Sequence, residues 1–149
     1  VTFLRVLARI SEIRFVKSTL VDSGPLIALF DRDDKHHRRI KKFFKANPLR
    51  LVTTWPVVTE VCALLPRASA WDFLEWVRRG AVAIVDLSTN DTTDLLTLLR
   101  KYDDLPMDLA DASLVVTAVR QGMETIVSLD SDFAVYRLPG KRTFKNLLS

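Results

Sequence analysis

The feature that most constrains this chain is a repeated alternation between short, apolar, β-prone runs and longer segments with helical spacing. The runs fall at residues 19–21, 51–54, 82–85 and 125–129, the first three each followed by a turn or cap residue and then by a helical segment. Strands separated by helices cannot pair through tight hairpins, so the chain crosses over between them and they run parallel, covered on both faces. The expected fold is a three-layer α/β/α domain with a central, mostly parallel sheet flanked by helices.

Turn residues set the helix ends. Asp22-Ser23-Gly24-Pro25 reads as a turn leading into a helix towards Phe30, and Asp33 or Asp34 is expected to cap a helix over 35–46 that stops at Asn47-Pro48. Pro56 suits the first turn of a helix over 57–65, which ends before Pro66; Ser69 is the expected cap of the next, terminated by Gly80. Asn90 or Asp91 opens a helix to about Tyr102, and the connector Leu105-Pro106-Met107-Asp108 leads into one over 109–121, closed by Gly122. A last short strand is expected near 142–144. No repeat or interdomain linker interrupts the pattern, and 149 residues suffice for one core, so residues 18–149 are read as a single domain.

Residues 1–17 are read as an N-terminal extension: a short amphipathic helix, a partner-binding arm, or an upstream segment outside the fold. Arg5, Arg9, Arg14 and Lys17 interrupt its apolar residues, unlike a signal peptide, and no stretch reaches membrane-spanning length. Cys62 is the only cysteine, which excludes an intrachain disulfide and a Cys-rich zinc site and fits a cytoplasmic protein; a small buried hydrophobe is its expected role. The formal charge of +4 favours polyanionic partners, nucleic acid first.

Acidic residues stand where solvating charges are not expected. Asp22 ends the first strand and Asp130 the strand over 125–129, which puts both at the carboxyl edge of the sheet, where open α/β folds bind ligands. Glu60 follows the second strand, on the helix side of Val57 and Leu64, and Asp111 begins its helix on the side of Leu114, Val115 and Ala118. All four can converge on one crevice. Four carboxylates there repel one another and resist burial, and a divalent cation with hard oxygen ligands, Mg2+ or Mn2+, answers both problems. Each acid also has a local structural role open to it: Asp108 and Asp111 as caps, Asp22 as a turn residue, Glu60 as an exposed carboxylate favouring the helix dipole.

At these residues the chain resembles the PIN-domain family, and within it the VapC-type toxin ribonucleases. The segments that carry the resemblance are Leu20-Val21-Asp22-Ser23-Gly24-Pro25-Leu26, Thr53-Thr54-Trp55-Pro56-Val57-Val58-Thr59-Glu60, Leu105-Pro106-Met107-Asp108-Leu109-Ala110-Asp111-Ala112 and Ser128-Leu129-Asp130-Ser131-Asp132-Phe133. The resemblance implies a metal-dependent endoribonuclease, with Asp22, Glu60, Asp111 and Asp130 matching the family's acidic positions as catalytic and metal-binding residues. Ser128 matches a small hydroxyl position and Ser23 follows the first acid, while Asp108 and Asp132 stand close enough to assist. It further implies RNA as substrate, a cognate antitoxin protein as partner, and a homodimer.

The charged run 31–39 reads as a polar helical face in which His36 and His37 are solvated rather than metal ligands. Lys35, Arg38, Arg39, Lys41 and Lys42 either contact phosphates or keep that surface soluble. Trp55, Trp71 and Trp76 stack on bases or, at their apolar helical spacing, pack in the core or a dimer contact. Two other function classes were weighed. A catalytically inactive PIN-like RNA- or protein-binding module would keep the fold, although all four principal acids are present. A phosphatase or phosphotransferase with Asp22 as nucleophile lacks support, since Gly24 stands where a dehalogenase-like enzyme needs a second Asp and the paired acids and later Lys of a response-regulator receiver are missing; nor does a Gly-rich phosphate loop support a nucleotide-binding enzyme.

Overall fold

The computed structural model describes residues 17–149, so the expectations for the extension at 1–17 fall, Lys17 apart, outside the described residues. In chain order the elements are β1 (Ser18–Val21), α1 (Ser23–Phe30), α2 (His37–Ala46), β2 (Arg50–Thr54), α3 (Trp55–Leu64) and α4 (Arg67–Arg78). These are followed by β3 (Val82–Val85), α5 (Thr92–Lys101), α6 (Leu109–Gln121), β4 (Thr125–Val127), β5 (Arg137–Leu138), β6 (Arg142–Thr143) and β7 (Lys145–Asn146). Five strands form one wholly parallel sheet in the order β3-β2-β1-β4-β7, and β5 and β6 make a separate antiparallel pair. The sheet flanked by helices is the α/β architecture read from the alternating pattern.

Being central, β1 has Thr19, Leu20 and Val21 almost fully buried. Its ladder continues into the first residue beyond the strand, where the Asp22 N–H donates to the Val127 carbonyl at 3.1 Å. Helix α6 is buried over every residue from Ala110 to Ala118 and packs against β2, α3 and α5. Its small residues Ala110, Ala112, Ser113 and Ala118 allow that close approach on several sides. Two aromatic groups complete the core: Phe30, Phe73 and Trp76 on one hand, and Tyr102, Tyr136, Phe133 and Phe144 on the other, mostly edge to face. Of the three tryptophans only Trp76 joins the core; Trp55 and Trp71 are 51% and 62% exposed.

Several element ends differ from the sequence reading for identifiable reasons. Helix α1 starts at Ser23 without a separate turn because Asp22 itself is the cap, and Pro25 is tolerated where helical N–H groups have no partner. Helix α2 starts only at His37, since the Asp34 carboxylate accepts from the His36 N–H and closes a turn instead of capping the helix. Ser69 does not cap α4, which begins two residues earlier, directly after Pro66. The C-terminal segment holds two strand pieces. Arg142–Thr143 pairs with β5, and Lys145–Asn146 joins the main sheet beside β4.

The β4–β7 pairing ends on a side chain. The Asn146 amide Nδ2 donates to the Ser128 carbonyl at 2.9 Å, and its Oδ1 accepts from the N–H groups of Ser128 at 3.2 Å and Leu148 at 3.1 Å. This clamp replaces the next ladder rungs and is why β4 stops at Val127. Asn146→Ala would leave partly buried backbone groups without their partner. It is expected to lower stability by about 1–3 kcal/mol, read as a lower urea midpoint at unchanged slope.

Candidate active site

Strand order brings the acids together. β1 lies between β2 and β4, so Asp22, after β1, and Asp130, three residues after Val127, meet at the carboxyl edge. Asp111, in the first turn of α6, joins them there. One carboxylate oxygen from each of Asp22, Asp111 and Asp130 lies within 4.8 Å of the others. Asp22 and Asp111 are buried, at 4% and 7% exposure, while Asp130 is more open.

Each carboxylate is held by donors supplied locally or across the fold. Asp22 accepts from the Ser23 N–H at 2.8 Å on one oxygen and from the Ser128 hydroxyl at 3.0 Å on the other. The Ser128 hydroxyl also accepts from the Asp130 N–H at 2.9 Å, so one serine couples two of the acids. The Asp130 carboxylate accepts from the Asp132 N–H at 2.9 Å. Asp111 accepts from the hydroxyl of the fully buried Tyr136 at 2.7 Å, and its own N–H donates to the Asp108 carboxylate at 2.8 Å. Behind them Thr54 donates to Ser113, which donates to the Ala110 carbonyl (2.6 Å for each contact), fixing the start of α6 against the end of β2.

Glu60 is half-buried and close enough to Asp22 for its charge to be felt there, but it is not among the three clustered oxygens. Its expected companion Leu64 is 62% exposed; the core face of α3 is instead Val57, Val58 and Val61, which sets Glu60 at the border of that face. Asp108 is exposed and serves as the cap of α6. Asp132 is half-buried, and burial followed by the Asp130 charge raises its carboxyl above the usual range. Ser23 contributes its backbone N–H. Of the local roles open to these acids, Asp22 and Asp108 cap α1 and α6, whereas Asp111 caps no helix and Glu60 is neither exposed nor in the first turn of α3. Tyr136 was not singled out from sequence. A buried tyrosine needs a partner for its hydroxyl, and the pattern Asp132-Phe133 followed by Tyr136 was the available signal.

Burial and crowding oppose ionisation. Asp22 is pushed up to about 6, chiefly by burial, with Glu60 and Asp130 adding repulsion against the Ser23 and Ser128 hydrogen bonds. Asp111 rises further, to about 7, again mainly by burial, with Asp22, Asp108 and Asp130 raising it and the Tyr136 hydrogen bond opposing. Burial and the neighbouring Asp111 hold the Tyr136 hydroxyl well above the ordinary phenol range, so it stays a donor. Among the described residues no Lys, Arg or His forms an ion pair with Asp22, Glu60, Asp111 or Asp130. Hard oxygen donors, mutual repulsion and no cationic side chain to relieve it are what a divalent cation fits.

The chain belongs to the PIN-domain family, whose PIN domain matches residues 19–138. It is similar to ribonuclease VapC26 of Mycobacterium tuberculosis, with 26% identity over 115 residues, covering 74% of this chain and 85% of that protein. The fold resembles that of M. tuberculosis VapC20, described as a sarcin-ricin loop cleaving toxin, with a TM-score of 0.69 and 19% identity over 80% of this chain and 94% of the other. It also resembles a toxin–antitoxin complex from Klebsiella pneumoniae, with a TM-score of 0.57 and 23% identity over 87% of this chain and 99% of the other. A third is VapBC2 from Rickettsia felis bound to a DNA fragment from its promoter, with a TM-score of 0.56 and 13% identity over 87% and 98%. The chain is a distant homologue of the VapC ribonuclease toxins. Among the described residues no helix is long and apolar enough to cross a membrane.

The raised carboxyls make stability depend on pH with a definite sign. Between the ordinary carboxyl value near 4 and the native values of about 6 and 7, the folded state of the metal-free protein holds more protons than the unfolded one. Stability therefore falls as pH rises through that window. In EDTA the melting temperature should decrease between pH 4.5 and 7.5, with a shallower slope in Asp111→Asn, and Mn2+ should restore it at pH 7.5. Parallel profiles for the two proteins across that window would refute this account of the site.

Proposed function

We propose that this chain is a metal-dependent endoribonuclease that hydrolyses RNA phosphodiester bonds, and that it is the toxin of a toxin–antitoxin pair. The observation that carries the proposal is the meeting of Asp22, Asp111 and Asp130 oxygens within 4.8 Å at the carboxyl edge of the sheet. Membership of the PIN family and similarity to a protein named as a ribonuclease support it. Toxin–antitoxin assemblies among the similar folds support a protein antitoxin as partner. Exposed Trp55, Leu64, Trp71 and Leu74 supply apolar surface that an antitoxin or a second copy would cover.

Asp22, Asp111 and Asp130 would hold Mg2+ or Mn2+, with Glu60 beside Asp22 as the fourth acid. A bound divalent ion supplies Lewis acidity, lowering the pKa of water and offsetting negative charge on the reacting phosphate. Hydrolysis joins the water oxygen to phosphorus and breaks a P–O ester bond; one water proton ends on the departing oxygen, leaving one phosphate-terminated and one hydroxyl-terminated fragment. The chain's own contribution is preorganisation. Ser23 and Ser128 fix both Asp22 oxygens, and Tyr136 fixes Asp111 from the dry side of the core. Each carboxylate oxygen retains acceptor capacity beyond these bonds. No histidine is needed as a base in this scheme.

Wild-type protein is expected to cleave labelled RNA in Mg2+ or Mn2+ and to stop in EDTA. Asp22→Asn should be slower by at least about a hundredfold, because disturbing even the groups behind metal ligands costs 10–100-fold. Equal rates for wild type and Asp22→Asn on a denaturing gel, or undiminished cleavage in EDTA, would remove the proposal. The toxin role is tested in cells, where expression of wild type should arrest growth and Asp22→Asn should not.

A further inference from the structure

Among the described residues the densest run of positive charge lies on one helix and its flanks. Residues 35–50 hold seven of the chain's 22 Lys and Arg and none of its 18 Asp and Glu, so the rest of the chain is net negative. All seven, namely Lys35, Arg38, Arg39, Lys41, Lys42, Lys45 and Arg50, are exposed, and among the described residues none forms an ion pair. Arg38, Lys41, Lys42 and Lys45 are spaced three and four apart, so they stand on one side of α2 and repel one another. A merely solvating face would intersperse acids, as the Glu75 pairs with Arg78 and Arg79 do on α4. This face does not.

Its shape fits a nucleic-acid strand. Arg38, Lys41, Lys42, Lys45 and Ala46 line a shallow hollow of about 550 Å3. A second, of about 310 Å3, shares Lys42 and Ala46 with it and adds Arg39, Phe43, Leu147 and Leu148. A cationic shelf beside a partly aromatic, apolar one matches the alternation of phosphate and base along an unpaired strand. The face is also tied to the carboxylate cluster. The His37 ring donates through Nδ1 to the Ala28 carbonyl at 2.7 Å, and Ala28 lies about 9 Å along α1 from Asp22 at 1.5 Å per residue. At the other side Arg39 donates to the Leu148 carbonyl at 2.8 Å, two residues beyond the Asn146 clamp on Ser128.

We infer that the outer face of α2, with the Phe43–Leu147–Leu148 shelf beside it, is a binding track for single-stranded RNA that leads to the carboxylate crevice. The choice of RNA rests on the ribonuclease reading. A negative crevice repels a polyanion, and a neighbouring cationic track supplies the affinity that the crevice withholds.

The test is fluorescence anisotropy of a labelled 20-nucleotide single-stranded RNA of mixed sequence, in EDTA, from 50 to 200 mM salt. EDTA separates binding from cleavage, so a chain that binds this way but never cuts RNA would sink the nuclease reading alone. Neutralising Lys41, Lys42 and Lys45 together with glutamine leaves every cluster residue intact. With a single-strand slope of about −0.7 per phosphate contact, the triple variant should bind roughly a hundredfold more weakly at 0.1 M salt. Its log–log salt slope should be smaller in magnitude by about 2. Circular dichroism checks that the variant is folded, and Lys41→Arg, Lys42→Arg, Lys45→Arg in one chain should restore affinity. Unchanged affinity and slope in the glutamine variant would overturn the inference. So would equal competition by polyglutamate of the same charge, which would make the face a docking site for acidic protein.

Discussion

Repulsion among carboxylates brought to one edge of the sheet is the constraint around which this molecule is organised. Three acidic side chains from separate parts of the chain approach within 4.8 Å, two of them buried, with no cationic side chain paired to them among the described residues. Such an arrangement persists only where the surroundings over-determine it. Here the surroundings are the parallel sheet, which places Asp22 and Asp130 on neighbouring strand ends, and a wholly buried α6, which delivers Asp111. Donors then lock each rotamer: Ser23, Ser128, Tyr136 and the Asp132 N–H.

The fold offsets this local cost elsewhere. Leu20, Val21, Ile126 and Val127 are wholly buried next to the acids, and the second aromatic group, with Tyr136 at its centre, stands directly behind Asp111. Tyr136 therefore belongs to both the core and the site: its ring makes edge-to-face contacts with Tyr102 and Phe133, and its hydroxyl is the donor to Asp111. A site built this way is precise because its support is dry packing, not solvated side chains. Stability given up at a functional crevice and recovered in an adjoining core is the expected pattern for an enzyme-like site.

How much of this was legible in the sequence follows from how local each interaction is. The bounds of α6 and β3 were read directly, because Asp108 and Gly122 stop one and turn residues flank the other. Elements whose ends depend on side-chain capture were misplaced. Asp34 closes a turn, delaying α2; Asn146 takes over the ladder at Ser128, shortening β4 and dividing the C-terminal strand in two. The convergence of Asp22, Asp111 and Asp130 was legible because the ends of parallel strands and the starts of the helices that follow them share the carboxyl edge, although the strand order itself was not. Glu60 lies near enough to Asp22 to repel it but outside the three-oxygen cluster, and its expected companion Leu64 is turned to solvent and not to the core. Tyr136 and Asn146 left no periodic signal. Their roles exist only once residues 25 and 18 positions apart in the chain are folded against each other.

Charge segregation completes the physical picture. A net charge of +4 suggests a mildly basic surface, yet residues 35–50 alone carry seven Lys and Arg and no acid, and the rest of the chain sums to a net negative charge. A uniformly basic surface would draw polyanions everywhere, and a uniformly acidic one would exclude them. With cations gathered on α2 and acids gathered at the carboxyl edge, attraction and repulsion of a polyanion would act at different places on the surface. That arrangement favours a ligand long enough to reach both, because only such a ligand offsets the repulsion at one end with contacts at the other. On the proposed reading, a short phosphate ester would meet the negative crevice alone, so discrimination by length would follow from where the charges stand.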